Sequence, residues 1–148
     1  MKKRVFGRHL SRDIGARRAL FRSQVRALVL FGAIRTTKAK AKAVQGMAEK
    51  LVTIAKEGTV INRRRIYALL GNDRKTTDTL FKLIGPTFLS RSGGYTRIVK
   101  LQPRRGDRAE LARLEWSEKV QTQDKVQEKA KKGKDAKPQT EKQEKTKK

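Results

Sequence analysis

The chain contains no cysteine, which excludes disulfide bridges, thiolate zinc sites and cysteine nucleophiles. Aromatic residues make up only 5% of it, so the core must be small. No apolar run approaches the roughly 18 residues of a membrane-spanning helix. The longest extends from Ala27 to Phe31 and resumes at Ala33-Ile34 after a glycine. Histidine occurs once, as His9 beside Arg8, and a lone histidine without an orienting partner is a surface or RNA-contact residue before it is a general base. Acids are scarce too: 14 Asp and Glu stand against 39 Lys and Arg. Those of residues 1–117 are Asp13, Glu49, Glu57, Asp73, Asp78, Asp107, Glu110 and Glu115. No pair has metal-ligand spacing on one element, so two-metal nuclease chemistry lacks its carboxylates. Caps and ion pairs with the arginines are the roles expected of them.

What the chain has is positive charge, a net +25 over 148 residues. Such a chain repels itself unless a polyanion neutralises it, and nucleic acid is the commonest polyanion in a cell. A membrane surface would require a lipid anchor or an amphipathic helix with exposed apolar bulk, and neither stands out. The length fits one domain. The basic start Met1-Lys2-Lys3-Arg4 is not followed by the apolar stretch of a signal peptide. The Arg-rich, acid-poor stretch to Arg26 also resembles a mitochondrial transit peptide, but a nucleic-acid-binding arm and helix is the preferred reading.

The charge divides in two. Residues 118–148 hold 11 Lys, no Arg and six acids, with few apolar residues, so this tail is expected to be disordered. All 18 arginines lie in residues 1–117. Arginine offers a planar fork of donors suited to phosphate and stacks on bases, whereas lysine is a solvated point charge. The body is therefore the candidate for specific docking and the tail for loose attraction.

The spacing predicts an α+β domain, about four helices on a small antiparallel hairpin, between an extended basic arm (residues 1–10) and the tail. A first helix starts at Ser11 or Asp13, either of which can cap it, and ends at Gly32. Ile14, Phe21, Val25 and Leu28 fall near one face, and Arg18, Arg22 and Arg26 form a basic ridge on another. Ile34 to Thr37 reads as a short strand or link, with Thr37 a possible cap for a second helix from Lys38 to Glu57. Val44, Met47, Leu51 and Ile54 or Ala55 form that helix's apolar stripe. Thr59 caps a third helix reaching Leu70. A fourth begins near Thr76 and stops at Gly85-Pro86, where proline prevents continuation. Tyr95 to Gln102 and Ala109 to Trp116 alternate as the two strands of a hairpin whose turn, Pro103 to Asp107, is basic. Leu20, Phe21, Leu28, Phe31, Leu51, Ile54, Ile66, Leu69, Leu80, Phe81, Leu83, Ile84 and Phe88 are the expected core.

Gly93-Gly94 lacks the strand–turn–helix order of a nucleotide-binding loop. It reads equally as a plain loop with two positive-φ positions entering a strand and, with Arg91, Ser92, Tyr95 and Arg97 about it, as an RNA contact, its amides suited to the RNA backbone and its aromatic to stacking on an unpaired base; the two are compatible. Of Arg63-Arg64-Arg65, at least one is read as a phosphate contact. Two rivals remain. One is a DNA-compacting protein using the helix pair joined by Gly71-Asn72-Asp73; the other is a small RNA-processing nuclease, disfavoured by the missing carboxylate cluster.

The residues also resemble a family. Gly7-Arg8-His9-Leu10-Ser11-Arg12, Arg18-Ala19-Leu20-Phe21-Arg22, Ile34-Arg35-Thr36-Thr37, Lys40-Ala41-Lys42, Asn62-Arg63-Arg64, Gly85-Pro86, Arg91-x-Gly93-Gly94-Tyr95-Thr96-Arg97-Ile98 and Arg105-Gly106-Asp107 are similar, in order, to the bacterial large-subunit ribosomal protein L-seventeen family. Ala43 and Gly46 stand where that family usually carries charged or bulkier residues. The resemblance, covering residues 1–116, implies a non-catalytic structural component of the large ribosomal subunit, cytoplasmic and ribosome-bound. It implies large-subunit rRNA as partner, with large-subunit protein number thirty-two as a neighbour, and no cofactor, metal, small-molecule substrate or membrane. The expected RNA-binding residues are Lys2, Lys3, Arg4, Arg8, His9, Arg12, Arg18 and Arg22 on the arm and first helix. Thr36, Thr37, Lys40, Arg63 and Arg64 follow, then Arg91, Gly93, Gly94, Tyr95, Arg97 and Arg105 about the hairpin.

Overall fold

The computed structural model describes residues 8–120; Lys2, Lys3, Arg4 and the tail from residue 121 lie outside the described residues. Helix α1 spans Ile14–Phe31. Its cap is Asp13, whose carboxylate accepts from the amides of Gly15 and Ala16. Ser11 cannot serve, because it and Leu10 form a left-handed turn one step earlier (φ 50° and 54°). Gly32 ends the helix at φ 78°, its amide donating to the Leu28 carbonyl, in the conformation that a side chain would disfavour. Strand β1 (Ala33–Thr37) leads directly into α2 (Lys38–Lys56), where Thr37 holds the cap position without a side-chain bond. Helix α3 (Val60–Leu69) is capped by Thr59, which accepts from the Asn62 amide.

The next helical run does not stop at Gly85-Pro86. It starts as α4 (Arg74–Thr79), capped by Asp73, widens to a π turn over Leu80–Ile84, and finishes as α5 (Gly85–Thr87). In an α-helix the ring of Pro86 would strike the carbonyl four residues back. The wider turn, in which the Gly85 amide reaches the Leu80 carbonyl, shifts that register and lets the chain continue. Gly85 is needed for closeness: a Cβ there would sit 3.2 Å from the Ala55 carbonyl oxygen and 3.3 Å from that of Leu80.

Strands β2 (Thr96–Lys100) and β3 (Leu111–Trp116) form the expected hairpin, but the sheet has three strands. β3 lies in the middle, antiparallel to β1 on one side and to β2 on the other. The link reading of residues 34–37 therefore gives way to the strand reading. Ile34, Leu114 and Ile98 align across the sheet, facing α2, and Ala112 and Trp116 share that inner face. Helix α2 runs through the centre of the body and buries Ala41, Val44, Ala48, Leu51, Val52, Ile54 and Ala55.

Several expected core positions lie at the surface. Phe31 is 62% exposed and Leu69 is also exposed, and Ile14, read on the apolar face of the first helix, is 61% exposed; each sits at a helix end or on an outer face. Conversely, Val120, read from sequence as part of the tail, is buried against the core cluster.

Candidate nucleic-acid interface

Every carboxylate among the described residues is engaged by the fold. Asp13 and Asp73 cap helices. Glu49 accepts from the Thr96 hydroxyl and Glu57 from Asn62. Asp78 pairs with Arg63 and Asp107 with Arg104. Lys38 lies 2.8 Å from Glu110, Arg91 lies 3.9 Å from Glu118, and Glu115 holds both Arg97 (2.6 Å) and Arg113 (2.9 Å). The Arg104 guanidinium, together with the Ala109 amide, holds the Asp107 carboxyl down at about 2. Glu110 is lowered chiefly by its bond from Lys38. At Asp73 partial burial pushes upward, but the Thr76 hydroxyl and amide and the Arg26 charge outweigh it and leave the group low. No cluster of metal-ligating side chains occurs among the described residues.

The basic side chains divide into those that hold the fold together and those left over. The ridge on α1 is such a case. Arg22 donates through Nε to the Leu69 carbonyl (2.9 Å), satisfying the open end of α3, and Arg26 pairs with Asp73 at 3.0 Å. Of the three, Arg18 alone makes no bond of its own. Arg17, absent from the sequence-derived site, organises the arm: its guanidinium reaches His9 Nδ1 at 3.0 Å and the Arg12 carbonyl at 3.3 Å. With Nδ1 accepting, the ring proton of His9 belongs at Nε2, facing solvent as a donor. Arg8 and Arg12 are exposed on the same turn, so Arg8, His9, Arg12 and Arg18 form one basic surface at the start of α1.

The second surface is the outer face of the sheet. Arg35 lies directly opposite Arg113, and Arg97 opposite Glu115. Like charges directly opposite across a strand pair are destabilising, and one glutamate is shared by two of the three arginines. An external anion would relieve this face. Arg35 and Arg113 were missed from sequence, although strict alternation within β1 and β3 puts both on the solvent side.

The Gly-Gly segment leads into β2 and is flanked by residues bonded into the fold. Lys56 donates to the Arg91 carbonyl (2.5 Å) and lies 5.5 Å above the Tyr95 ring. Arg91 reaches the Ser117 hydroxyl (2.5 Å). Tyr95 corrects one expectation: at 1% exposure it cannot stack on a base. Its ring packs on Phe88 with centroids 5.3 Å apart, and its hydroxyl donates to the Ser92 carbonyl at 3.1 Å. Arg91 and Tyr95 thus shape the loop, while Gly93 and Gly94 stay exposed with open space where a Cβ would stand. Arg105 is exposed at the hairpin tip. Thr36 accepts from Gln24 at 3.1 Å, which makes it part of the α1–β1 contact; Thr37 and Lys40 are half-buried at the start of α2. On α3, Arg63 is tied to Asp78, leaving Arg64 and Arg65 free at the surface.

Two comparisons bear on what binds here. Residues 20–117 match the family model of ribosomal protein L17. The chain belongs to the ribosomal protein L17 family. Curated relatives agree over most of its length. It is 45% identical over 119 residues to the large ribosomal subunit protein bL17 of Hydrogenobaculum sp. strain Y04AAS1, covering 80% of this chain and all of that one. It is 45% identical to the bL17 of Nitratidesulfovibrio vulgaris, covering 77% of this chain and 86% of the relative. For the bL17 of Symbiobacterium thermophilum the identity is 46%, covering 72% and 93%. The L17 match takes in the sheet face and the Gly-Gly loop; the turn carrying Arg8, His9 and Arg12 precedes it. No helix among the described residues is long and apolar enough to cross a membrane.

Proposed function

We propose that this L17-family protein is a structural, non-catalytic constituent of the large ribosomal subunit that binds and stabilises large-subunit rRNA. The observation that carries the reading is the division of charge. The described carboxylates are all occupied within the fold, and the basic groups that are free, or that share one carboxylate between two, line two surfaces fixed by one core. Arg8, His9, Arg12 and Arg18 supply one surface; Lys2, Lys3 and Arg4, outside the described residues, are proposed as further phosphate contacts. Arg35, Arg97, Arg113 and the Gly93-Gly94 amides supply the other, with Arg105 at the hairpin tip. Thr37, Lys40 and Arg64 are proposed as secondary contacts. Exposed backbone amides and arginines are the donors that suit RNA phosphates and unpaired loops. The tail's lysines add non-specific attraction. Cytoplasmic ribosomes are the location, and large-subunit protein thirty-two is the proposed protein neighbour.

Sedimentation tests this directly. The protein is expected with the large subunit at physiological salt, and to leave it only as salt is raised, because counterion release drives such binding. A chain that stays at the top of the gradient at about 0.15 M salt, where only strong phosphate contacts survive, would refute the reading.

A further inference from the structure

Where α1, α2 and α3 meet, the body leaves an open groove of about 650 Å³. Its floor is apolar, formed by Phe21, Met47, Leu51 and Leu69. The charged side chains that line it are Arg18, Arg22 and Lys50, with no carboxylate among them. Gly46 also opens onto it, and a Cβ at that position would meet nothing within 4 Å. Arg22 is held by its bond to the Leu69 carbonyl, so its guanidinium is fixed at the edge instead of folding across the opening. Arg18 makes no bond of its own and belongs to the basic surface at the start of α1.

We infer that this groove receives a single unstacked nucleotide of the bound RNA, the base lying on the apolar floor and its phosphates on Arg18 and Lys50. The inference rests on the RNA-binding reading and adds a base-sized pocket to one of its surfaces. An apolar slot with a purely cationic rim is complementary to a nucleotide, whose flat base is hydrophobic on its faces and whose phosphate is anionic. An apolar peptide would leave the rim charges without partners, and a duplex is too wide to enter. The volume lies within the range of pockets that enclose small ligands, roughly 300–1,000 Å³.

Filling the groove from Gly46 tests this without touching a charge. Full-length wild type, Gly46→Ala and Gly46→Phe are titrated with deproteinised bacterial large-subunit rRNA over a range of salt, with folding checked by thermal melting. Gly46→Ala is expected to bind like wild type. Gly46→Phe occupies the slot and is expected to bind about tenfold more weakly, the loss of one stacked base. Its dependence of log affinity on log salt stays unchanged, because no phosphate contact is lost. Arg18→Ala lowers affinity and reduces that slope by about one. If Gly46→Phe unfolds, Gly46→Leu makes the same comparison. Wild-type affinity in a folded, filled variant overturns the inference and leaves RNA binding standing. So does a filled variant that binds rRNA normally but fails to recruit a neighbouring protein in reconstituted subunits. Absence of rRNA binding by wild type removes the RNA-binding reading itself, and the inference with it.

Discussion

Gly46 and Gly85 both lie in helical segments, and alanine at the two positions is expected to move stability in opposite directions. In an open helix, replacing glycine by alanine gains about 1 kcal/mol, because the unfolded chain loses freedom and no contact is disturbed. Gly46 meets that condition, since its new methyl would touch nothing within 4 Å. At Gly85 the methyl would stand 3.2 Å and 3.3 Å from two carbonyl oxygens, inside the roughly 3.5 Å separation that non-bonded atoms prefer. Both belong to backbone: the Ala55 oxygen to the end of α2, the Leu80 oxygen to the start of the π turn. Neither can swing aside like a side-chain tip, and moving α2 disturbs the whole core. Overpacking of this kind costs about 1–3 kcal/mol. Set against the same gain of about 1 kcal/mol, the net is a loss of about 1 kcal/mol. Urea titration should give midpoints on either side of wild type with unchanged slopes. Thermal midpoints should separate by about 8 °C, at about 4 °C per kcal/mol for a body of this size. A Gly85→Ala protein as stable as Gly46→Ala would refute the claim that the helical run docks on α2 through bare backbone.

Three further outcomes follow from particular side chains. Asp73→Asn keeps a cap but removes the charge beside Arg26. Because the folded Asp73 titrates below its ordinary value, its contribution is present above about pH 4 and disappears as pH falls through the folded value. The gap in thermal midpoint between wild type and Asp73→Asn should therefore close as the melts are taken from pH 7 toward pH 2. Trp116→Phe keeps the ring near Phe88 but loses the indole donor to the Leu28 carbonyl, 3.2 Å away, and should cost about 1–2 kcal/mol in urea titration. Arg26→Ala should lower stability while leaving the salt slope of rRNA binding unchanged, the reverse of Arg18→Ala; equal effects of the two on the slope would contradict the division between tied and free arginines.

The features legible in the sequence are those whose chemistry is local. Asp13, Thr59 and Gly32 announce helix ends because a cap bonds within three or four residues of itself. The stripe of α2 was readable because one helix buries it along its whole length. Tertiary choices were not readable. Arg22 and Arg26 look alike on a helical wheel, yet their partners, the Leu69 carbonyl and Asp73, lie more than 40 residues along the chain. Tyr95 beside two glycines has the pattern of a base-stacking residue, and only its packing on Phe88 and under Lys56 turns it inward. Proline forecasts a stop at residue 86 because local rules omit the π turn. Alternation puts Arg35 and Arg113 on the solvent side of their strands, but that they stand opposite each other follows only from the pairing of β1 with β3, which no short window contains.

The strand order has a consequence for the timing of synthesis. β3, made last, is the strand on which both β1 and β2 depend, and they do not pair with each other. A nascent chain that has reached residue 110 lacks β3 and so the sheet, and the inner face of α2 waits for Ala112, Leu114 and Trp116. Closing a sheet through such distant segments is slow and leaves apolar surface uncovered meanwhile. Synthesis through Trp116 is thus a condition for the arginine-bearing face to exist at all. A prematurely terminated copy would carry the basic helices without that face, unable to compete for the binding position of the finished protein and open to proteolysis.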